Sequence, residues 1–238
     1  METHWAIFTA ITLGAGVHWH EHYDTVDQIG RMMVSRSSHG GSIGAAGGWL
    51  KEEGTVRCRL LTVLVWLSLL CFLRAYTGSG VDNAIEITVV TCGEYLTTNN
   101  YRNSDPFWAL HEGGGGIYGV VTYVTYRTYE SLPVAYYYLQ ANATDATAMK
   151  KHITGLFQFQ PSFTEDGRVG YGTIDESNML FVAVAPDMST EAANISTQPL
   201  TDYASRLRSQ GVSPMVRIAP IFSWHEWTTA LRRSWPEW

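Results

Sequence analysis

The amino-acid sequence predicts an α+β fold. Segments typical of strands are mixed with segments typical of helices, and no strict strand–helix–strand repeat runs along the chain, which argues against a doubly wound sheet. Ala84 to Val90 alternates between apolar and polar residues, as a half-buried strand does. Cys92-Gly93-Glu94 then forms a predicted hairpin turn into a strand over Tyr95 to Thr97.

Upstream of that hairpin, small residues separate short elements. Gly14-Ala15-Gly16 closes the first predicted strand, and Gly30 ends the first predicted helix because glycine is common just past a helix. The predicted elements are a strand over Trp5 to Val17, a helix over His20 to Ile29 and a strand over Met32 to Ser35.

A helix, a glycine run and a strand follow one another between Asp105 and Glu130. Asp105 is predicted to cap the helix, and Pro106 suits its first turn because an N–H there would have no partner. Gly113 to Gly116 end the helix, and the Val-, Thr- and Tyr-rich residues from Ile117 onward predict the strand. Because glycines let the backbone approach a neighbour closely, this segment could hold something flat or phosphorylated. The alternative is a flexible loop before a strand.

The pattern of predicted strands and helices changes beyond Pro133, and we predict a domain boundary between residues 133 and 150. A chain of 238 residues is expected to form one or two domains with a sizeable core. Predicted strands lie at Ala135 to Gln140, Leu156 to Phe159, Gly170 to Ile174 and Met179 to Val184, and predicted helices at Thr144 to Thr154 and Glu191 to Gln210.

Charge and hydropathy argue against some partners. A net charge of −6 argues against nucleic acid, because phosphates require a basic face. Leu60 to Leu73 is nearly all apolar, but as a helix it spans roughly 21 Å, short of the roughly 30 Å hydrocarbon layer. We therefore predict a buried or interfacial helix, with membrane association as the alternative. Met1 to Val17 lacks a basic start, so no signal peptide is predicted and the localisation stays open.

Missing motifs exclude several kinds of chemistry. The sequence contains no GxxxxGK[ST] phosphate loop, no complete GxGxxG fingerprint and no GxSxG elbow. His18, His20 and His22 would share a face on a strand and could then hold zinc, but a partly exposed polar edge explains them as well, and no metal site is predicted. Asp175 and Glu176 could supply a general base or form a solvated turn.

Two loops of small residues remain, Gly40 to Gly48 and Gly113 to Gly119, each beside a predicted strand. Two such loops in one domain suit a large ligand with a diphosphate and a planar ring. Backbone N–H groups in these loops can point at phosphate oxygens without a basic side chain. A flavin cofactor suits two such loops better than a nucleoside triphosphate does.

Six segments occur in the order known from one flavoenzyme family. They are Thr12-Leu-Gly-Ala-Gly-Val-His-Trp19, Gly44-Ala-Ala-Gly-Gly-Trp-Leu50, Gly80-Val-Asp-Asn83, Glu86-Ile-Thr-Val-Val90, Asp105-Pro-Phe-Trp-Ala-Leu110 and Gly113-Gly-Gly-Gly-Ile-Tyr-Gly-Val-Val121. In them the sequence resembles the berberine-bridge-enzyme-like, FAD-linked oxidases of the vanillyl-alcohol-oxidase superfamily, in their fungal branch. The resemblance covers roughly residues 11 to 130, and the chain from about 134 onward more loosely.

The resemblance implies two partial domains and FAD as the cofactor. Residues 1–133 would be part of a PCMH-type FAD-binding domain with an atypical insert at 51–77, and residues 134–238 the start of an antiparallel-sheet substrate domain. Relative to the family, the chain is expected to be shortened at both ends. The implied cofactor-binding residues are Gly41, Ser42, Ile43, Gly44, Gly47, Gly48, Asp82, Gly116, Gly119, Val120 and Val121.

By the same resemblance, the reaction would be flavin-mediated oxidation of a small organic substrate in fungal secondary metabolism, with dioxygen reoxidising the flavin. No catalytic residue is implied, because the segment with the family's catalytic base has no match here. The family's flavin-tethering cysteine falls near Gly40, which holds no thiol. The alternatives are a non-catalytic remnant of such an enzyme and a membrane-associated protein anchored by residues 60–73.

Overall fold

A computed structural model describes residues 9–34, 43–51, 80–111, 113–165, 168–221, 225, 226 and 229. The chain divides into two compact units. The first comprises residues 1–55, 76–131 and 227–238, and the second residues 56–75 and 132–226. In the described residues of each unit, a four-stranded antiparallel sheet is combined with helices, so the predicted α+β fold class is confirmed.

The described strands of the first unit form two sheets. They are β1 (Ala10–Gly14), β2 (Arg31–Met32), β3 (Ala84–Val90), β4 (Tyr95–Thr98), β5 (Val120–Arg127) and β6 (Tyr129–Glu130). Four strands pair in the order β1-β5-β3-β4, with every pairing antiparallel. The remaining two, β2 and β6, pair antiparallel with each other. The predicted hairpin between β3 and β4 is present, with Gly93 at φ 118° in its turn.

Three helices accompany these strands: α1 (Trp19–Asp27), α2 (Gly48–Lys51) and α3 (Ser104–Leu110). A 3₁₀ turn over Val81–Asn83 precedes β3. The spacing of apolar residues makes α1 amphipathic, since positions i, i+3, i+4 and i+7 share one helix face. The side chains buried along that face are Trp19, His22, Tyr23 and Val26.

The second unit has a sheet with helices over one face. Its described strands are β7 (Val134–Ala143), β8 (Val169–Ile174), β9 (Asn178–Pro186) and β10 (Val212–Ile221), paired antiparallel in the order β10-β7-β9-β8. Its helices are α4 (Ala146–Phe157), α5 (Gln160–Glu165) and α6 (Thr190–Leu207), the last followed by a 3₁₀ turn over Arg208–Gln210.

Strand periodicity explains how this sheet divides its two faces. Side chains alternate between the faces of a strand, so every second residue of β7 joins the core that α4 and α6 complete. The β7 residues in that core are Ala135, Tyr137, Leu139 and Ala141. Both helices begin at side-chain caps. Asp145 accepts the N–H groups of Thr147 and Ala148, and Ser189 Oγ accepts that of Ala192 at 3.1 Å.

Three sequence expectations differ from the structure. The predicted strand over Leu156 to Phe159 is wrong, because α4 continues to Phe157 and Leu156 lies one turn beyond His152 on its buried face. Asp105 is not the cap of α3, which begins one residue earlier, after Asn103 in the left-handed region at φ 50°. No strand is predicted over Val212–Ile221. Its two prolines are tolerated because β10 is at the edge of the sheet.

No helix among the described residues is long and apolar enough to cross a membrane. The predicted helix over Leu60 to Leu73 lies outside the described residues.

His22 is a buried titratable group in the first unit. Its Nε2 contacts the Met33 sulfur, and its Nδ1 has no hydrogen-bond partner within the part of the chain that the structure describes. Burial lowers the pKa of His22 to about 4, because the charged imidazolium would lose its hydration. The folded protein therefore holds this histidine neutral at pH 7.

We predict that acidification destabilises the protein through His22. The folded-state pKa of about 4 lies below the ordinary value of 6.5, so the unfolded chain binds the proton more readily between these pH values. The stability is complete above pH 6.5 and falls toward pH 4, by up to about 1.4 kcal/mol per pH unit. In urea unfolding between pH 7 and pH 4.5, His22→Leu should lose less of its free energy of unfolding than wild type does. Equal slopes in wild type and His22→Leu would contradict the prediction.

We also predict that Gly172→Ala destabilises the second unit. A Cβ at Gly172 would lie 2.4 Å from the carbonyl oxygen of Leu180 on β9, which is main chain that cannot move away without disturbing the ladder. The expected loss is about 1–3 kcal/mol in the free energy of unfolding, measured by denaturant titration. Gly16→Ala is the control, because a Cβ there meets no atom of the described residues within 4 Å, and its effect should stay below about 0.5 kcal/mol.

Candidate cofactor site

The first small-residue loop is paired to the chain that enters α1. The N–H of Trp19 donates to the carbonyl of Ile43 at 3.1 Å, and the N–H of Ala45 donates to the carbonyl of Val17 at 2.9 Å. Between them, His18 and Gly44 form an isolated antiparallel bridge. These bonds make residues 43–45 behave as a short extra strand beside residues 17–19.

A buried tyrosine fixes the same loop from the sheet. Tyr126 on β5 is fully buried, and its hydroxyl donates to the carbonyl of Ala45 at 2.5 Å. Its ring lies 5.6 Å, centroid to centroid, from the ring of Trp19 at the start of α1. Burial raises the pKa of Tyr126 because the phenolate would lose its hydration, so the group stays a hydrogen-bond donor.

The two predicted loops meet where α2 ends. The carbonyl of Lys51 accepts the N–H of Gly114 at 2.9 Å, which joins the residues that follow the first loop to the start of the second. Ala15 is tied to the same region, since its N–H donates to the carbonyl of Thr122 on β5 at 2.8 Å. Three main-chain segments that are far apart in sequence therefore converge at this end of the first unit.

The glycines at this convergence fall into two kinds. A Cβ at Gly44, Gly48 or Gly116 would meet no atom of the described residues within 4 Å, so with respect to those residues the main chain there is open to a ligand. Gly119 is different, because a Cβ there would lie 2.6 Å from the carbonyl oxygen of Val90. Gly119 must lack a Cβ because the main chain of β3 lies against it. Gly116 and Gly119 also have positive φ, at 82° and 137°, which favours glycine in any case.

The structure brings most of the predicted cofactor-binding residues to these two loops. Ile43, Gly44, Gly47 and Gly48 belong to the first, and Gly116, Gly119, Val120 and Val121 to the second. Val120 is exposed whereas Val121 is buried, so only the main chain of Val121 can reach a ligand. Gly41 and Ser42 lie outside the described residues.

Asp82 is not brought to the second loop. It is exposed in the 3₁₀ turn that precedes β3, whereas Gly119 packs against Val90 at the other end of the strand. The seven residues of β3 separate them by about 20 Å.

The other candidate groups from the sequence take separate positions. His18 and His20 stack with ring centroids 5.8 Å apart, whereas His22 lies buried on the core face of α1. No group of three metal-ligating side chains occurs within the described ranges. Asp175 is exposed in a turn, where hydrogen bonds from the N–H groups of Ser177 and Asn178 hold the pKa of its carboxyl below the usual range.

One residue of the site has no signal in the sequence pattern. Lys51 is only 9% exposed, and burial lowers the pKa of its ammonium because the charged form loses hydration. By the family resemblance it is expected to belong to the atypical insert at 51–77. The sequence pattern of a single lysine after two apolar residues does not predict burial, because its burial depends on where α2 packs.

Comparison with known proteins gives relatives of one kind. An uncharacterized FAD-linked oxidoreductase of Arthroderma benhamiae is 35% identical over 167 residues, which are 68% of this chain and 25% of that protein. FAD-linked oxidoreductase easE of Arthroderma otae is 30% identical over 187 residues, 77% of this chain and 27% of that protein. The chain thus spans about a quarter of the length of these relatives. No family model matches it.

Solved structures with the same fold include flavoproteins. VAO-type flavoprotein MtVAO615 of Myceliophthora thermophila superposes with a TM-score of 0.77 at 23% identity, over 96% of this chain and 39% of that one. A glucooligosaccharide oxidase of Acremonium strictum gives 0.69 at 15% identity, over 96% and 43%. BBE-like 1 of Physcomitrella patens gives 0.70 at 16% identity, over 94% and 43%. The chain therefore belongs to the fungal FAD-linked oxidoreductases and has the fold of one part of a VAO-type flavoprotein.

Proposed function

We propose that this protein is an FAD-linked oxidoreductase that oxidises a small organic substrate in fungal secondary metabolism, with dioxygen as the electron acceptor. The observation that carries the proposal is the meeting of the two small-residue loops through the bond between Lys51 and Gly114, in a unit whose relatives are named for FAD. Residues 1–133 would contribute the FAD-binding domain, and residues 134–238 would begin the substrate domain.

The geometry of the two loops supports the proposal that the cofactor is FAD. Accessible main chain at Gly44, Gly48 and Gly116 leaves room for a ligand that approaches the backbone closely. N–H groups in glycine-rich loops bind phosphate oxygens without basic side chains. The bonds that hold Ala45 and Gly114 keep this main chain in one arrangement before any ligand arrives, which lowers the entropy cost of binding.

In this proposal FAD, when bound, would supply the group that accepts a hydride from the substrate. The protein would bind and orient the cofactor and the substrate and shield them from solvent. The main chain of residues 43–48 and 116–121 would contact the cofactor. Val121 and Tyr126 would act indirectly, because their buried side chains hold both loops against the sheet. No side chain among the described residues is assigned as the catalytic acid or base.

The second unit offers a surface suited to polar organic molecules. Tyr136, Tyr138 and Gln140 lie on the face of β7 opposite the helix-covered core, and the Tyr138 hydroxyl donates to Gln140 Oε1 at 2.9 Å. Solved neighbours of the fold include a glucooligosaccharide oxidase and a chitooligosaccharide oxidase. Oligosaccharides therefore belong in a substrate screen beside secondary-metabolite intermediates.

The first test of the proposal is flavin binding. The purified full chain is expected to bind FAD, so that flavin absorbance elutes with the protein in gel filtration. Oxidation of a substrate under air should then produce hydrogen peroxide, measured by a coupled assay. A colourless protein that gains no absorbance on incubation with FAD would favour the non-catalytic remnant.

A second test uses the open glycines. Gly44→Val is expected to weaken FAD binding at least about tenfold, because its side chain fills space that the main chain leaves to the ligand. Stability should change little, since no atom of the residues that the structure describes lies within 4 Å of the new Cβ and the φ of Gly44 is not positive. Gly16→Val has the same local freedom at a glycine that is not one of the predicted cofactor-binding residues, and is the control. Equal FAD affinities for the two variants, measured by flavin fluorescence, would contradict the assignment of Gly44.

A further inference from the structure

A groove runs along one flank of α4 in the second unit, beside a tyrosine of α6. Its volume is about 480 Å³, which lies within the range of roughly 300–1,000 Å³ that is typical of small-molecule sites. Most of its lining comes from positions three or four residues apart, which share one face of a helix. The lining side chains are those of Thr147, Lys150, Lys151 and Thr154 in α4, Gln158 just after it, and Tyr203 in α6.

The tyrosine wall of the groove is held in place by α4 itself. The Tyr203 hydroxyl donates to the carbonyl of Lys151 at 2.9 Å. Gly155 provides the space for this contact, because a Cβ there would overlap the Tyr203 hydroxyl. The Tyr203 ring also stacks on the fully buried ring of His152, with centroids 6.4 Å apart and an interplanar angle of 10°. The fold therefore builds this wall before any ligand arrives.

The polar groups of the lining are hydrogen-bond donors of one electrostatic type. Two ammonium groups, two threonine hydroxyls and one amide line the groove, and no carboxylate does. The carboxylates next to the lining residues in sequence are engaged elsewhere. Asp145 accepts the N–H groups of Thr147 and Ala148 at the start of α4, and Asp202 accepts from the Gln198 amide at 2.8 Å. On a chain with a net charge of −6, such a groove favours an anion.

The walls of the groove also offer apolar surface. The carbon stems of Lys150 and Lys151 lie along it with their charged ends toward water, as lysine side chains do at a surface. The Tyr203 ring adds a flat aromatic surface. A ligand that uses both features has an apolar body and one negatively charged group.

We propose that this groove binds a small organic carboxylate, with its apolar body against Tyr203 and the lysine stems and its carboxylate at the ammonium groups of Lys150 and Lys151. The lysines act as point charges, and the hydroxyl and amide groups complete the hydrogen bonds of the carboxylate. None of the lining residues is among the predicted cofactor-binding residues. The groove is thus a binding site in addition to the one on which the proposed function rests.

The test compares 2-naphthoate with 2-naphthamide, which has the same rings and no charge. Both are titrated into full-length wild type and the double variant Lys150→Gln/Lys151→Gln, with naphthalene fluorescence as the readout. The variant is expected to weaken naphthoate binding about 5- to 20-fold, as loss of two exposed ion pairs should, and to leave naphthamide binding within about twofold. Added salt should weaken naphthoate binding more in wild type than in the variant.

Arg217→Gln is the matched control. Arg217 is an exposed cation of the same unit, and it pairs across strands with Tyr138 on the sheet face opposite the helices. Its loss should change neither titration by more than about twofold. A loss of naphthoate affinity in Arg217→Gln as large as in the double variant would indicate a general effect of charge and overturn the proposal.

A blocking variant tests the location. Thr154 is exposed, so Thr154→Trp should keep the melting temperature close to that of wild type while its ring fills the groove. Both naphthalene ligands should then bind at least about tenfold more weakly. If both bind Thr154→Trp as they bind wild type, the groove is not their site. Should this variant not fold, the double variant decides alone.

The remaining outcomes also decide. Wild type that does not bind naphthoate overturns the proposal, and so do equal losses of naphthoate and naphthamide affinity in the double variant, because the lysine charges would then not act on the carboxylate. Inorganic phosphate, which has no apolar body, should displace naphthoate only at much higher concentration. Displacement at equal concentration would show a plain anion site. Flavin is absent from every titration, so the proposed function is tested separately.

Discussion

The hydrogen bond from the Tyr126 hydroxyl to the carbonyl of Ala45 is the interaction on which the candidate site depends. Both groups lie in the core of the first unit, so the bond does not exchange with water. If the Ala45 carbonyl moved away, the buried Tyr126 hydroxyl would lose its acceptor, at a cost of about 1–3 kcal/mol. From Ala45 the chain passes directly into α2, whose last carbonyl binds Gly114. One bond inside the core thereby helps to position two loops at the surface.

Glycine has two distinct physical roles in this protein, and only one of them points to a ligand. At Gly119 and Gly172 the missing Cβ leaves room for the main chain of a neighbouring strand. At Gly44, Gly48 and Gly116 it leaves space within 4 Å that no atom in the described part of the chain occupies. A glycine-rich sequence alone does not separate these roles. The structure does, because the distances from an ideal Cβ position show which glycines serve the fold and which are accessible to another molecule.

Elements set by local patterns were predicted well, whereas elements set by packing were not. The bounds of β3 match Ala84 to Val90, and the turn after it matches Cys92-Gly93-Glu94, because alternation and turn residues act within a few positions. Leu156 to Phe159 was predicted as a strand because short apolar runs fit either element, and the helix prevailed through the buried face of α4. The strand at Val212–Ile221 was missed because its prolines are acceptable only at a sheet edge, a position that sequence does not reveal.

The sequence by itself determined the α+β class, the flavoprotein family and the two loops of small residues, because each depends on residue types at short spacings. Only the tertiary structure decided which of these residues share a site. It joined the end of α2 to Gly114, left Asp82 at the opposite end of β3 from Gly119, and buried Lys51. Proximity and burial between segments tens of residues apart arise from long-range packing of the sheet and helices. Local composition does not predict that packing.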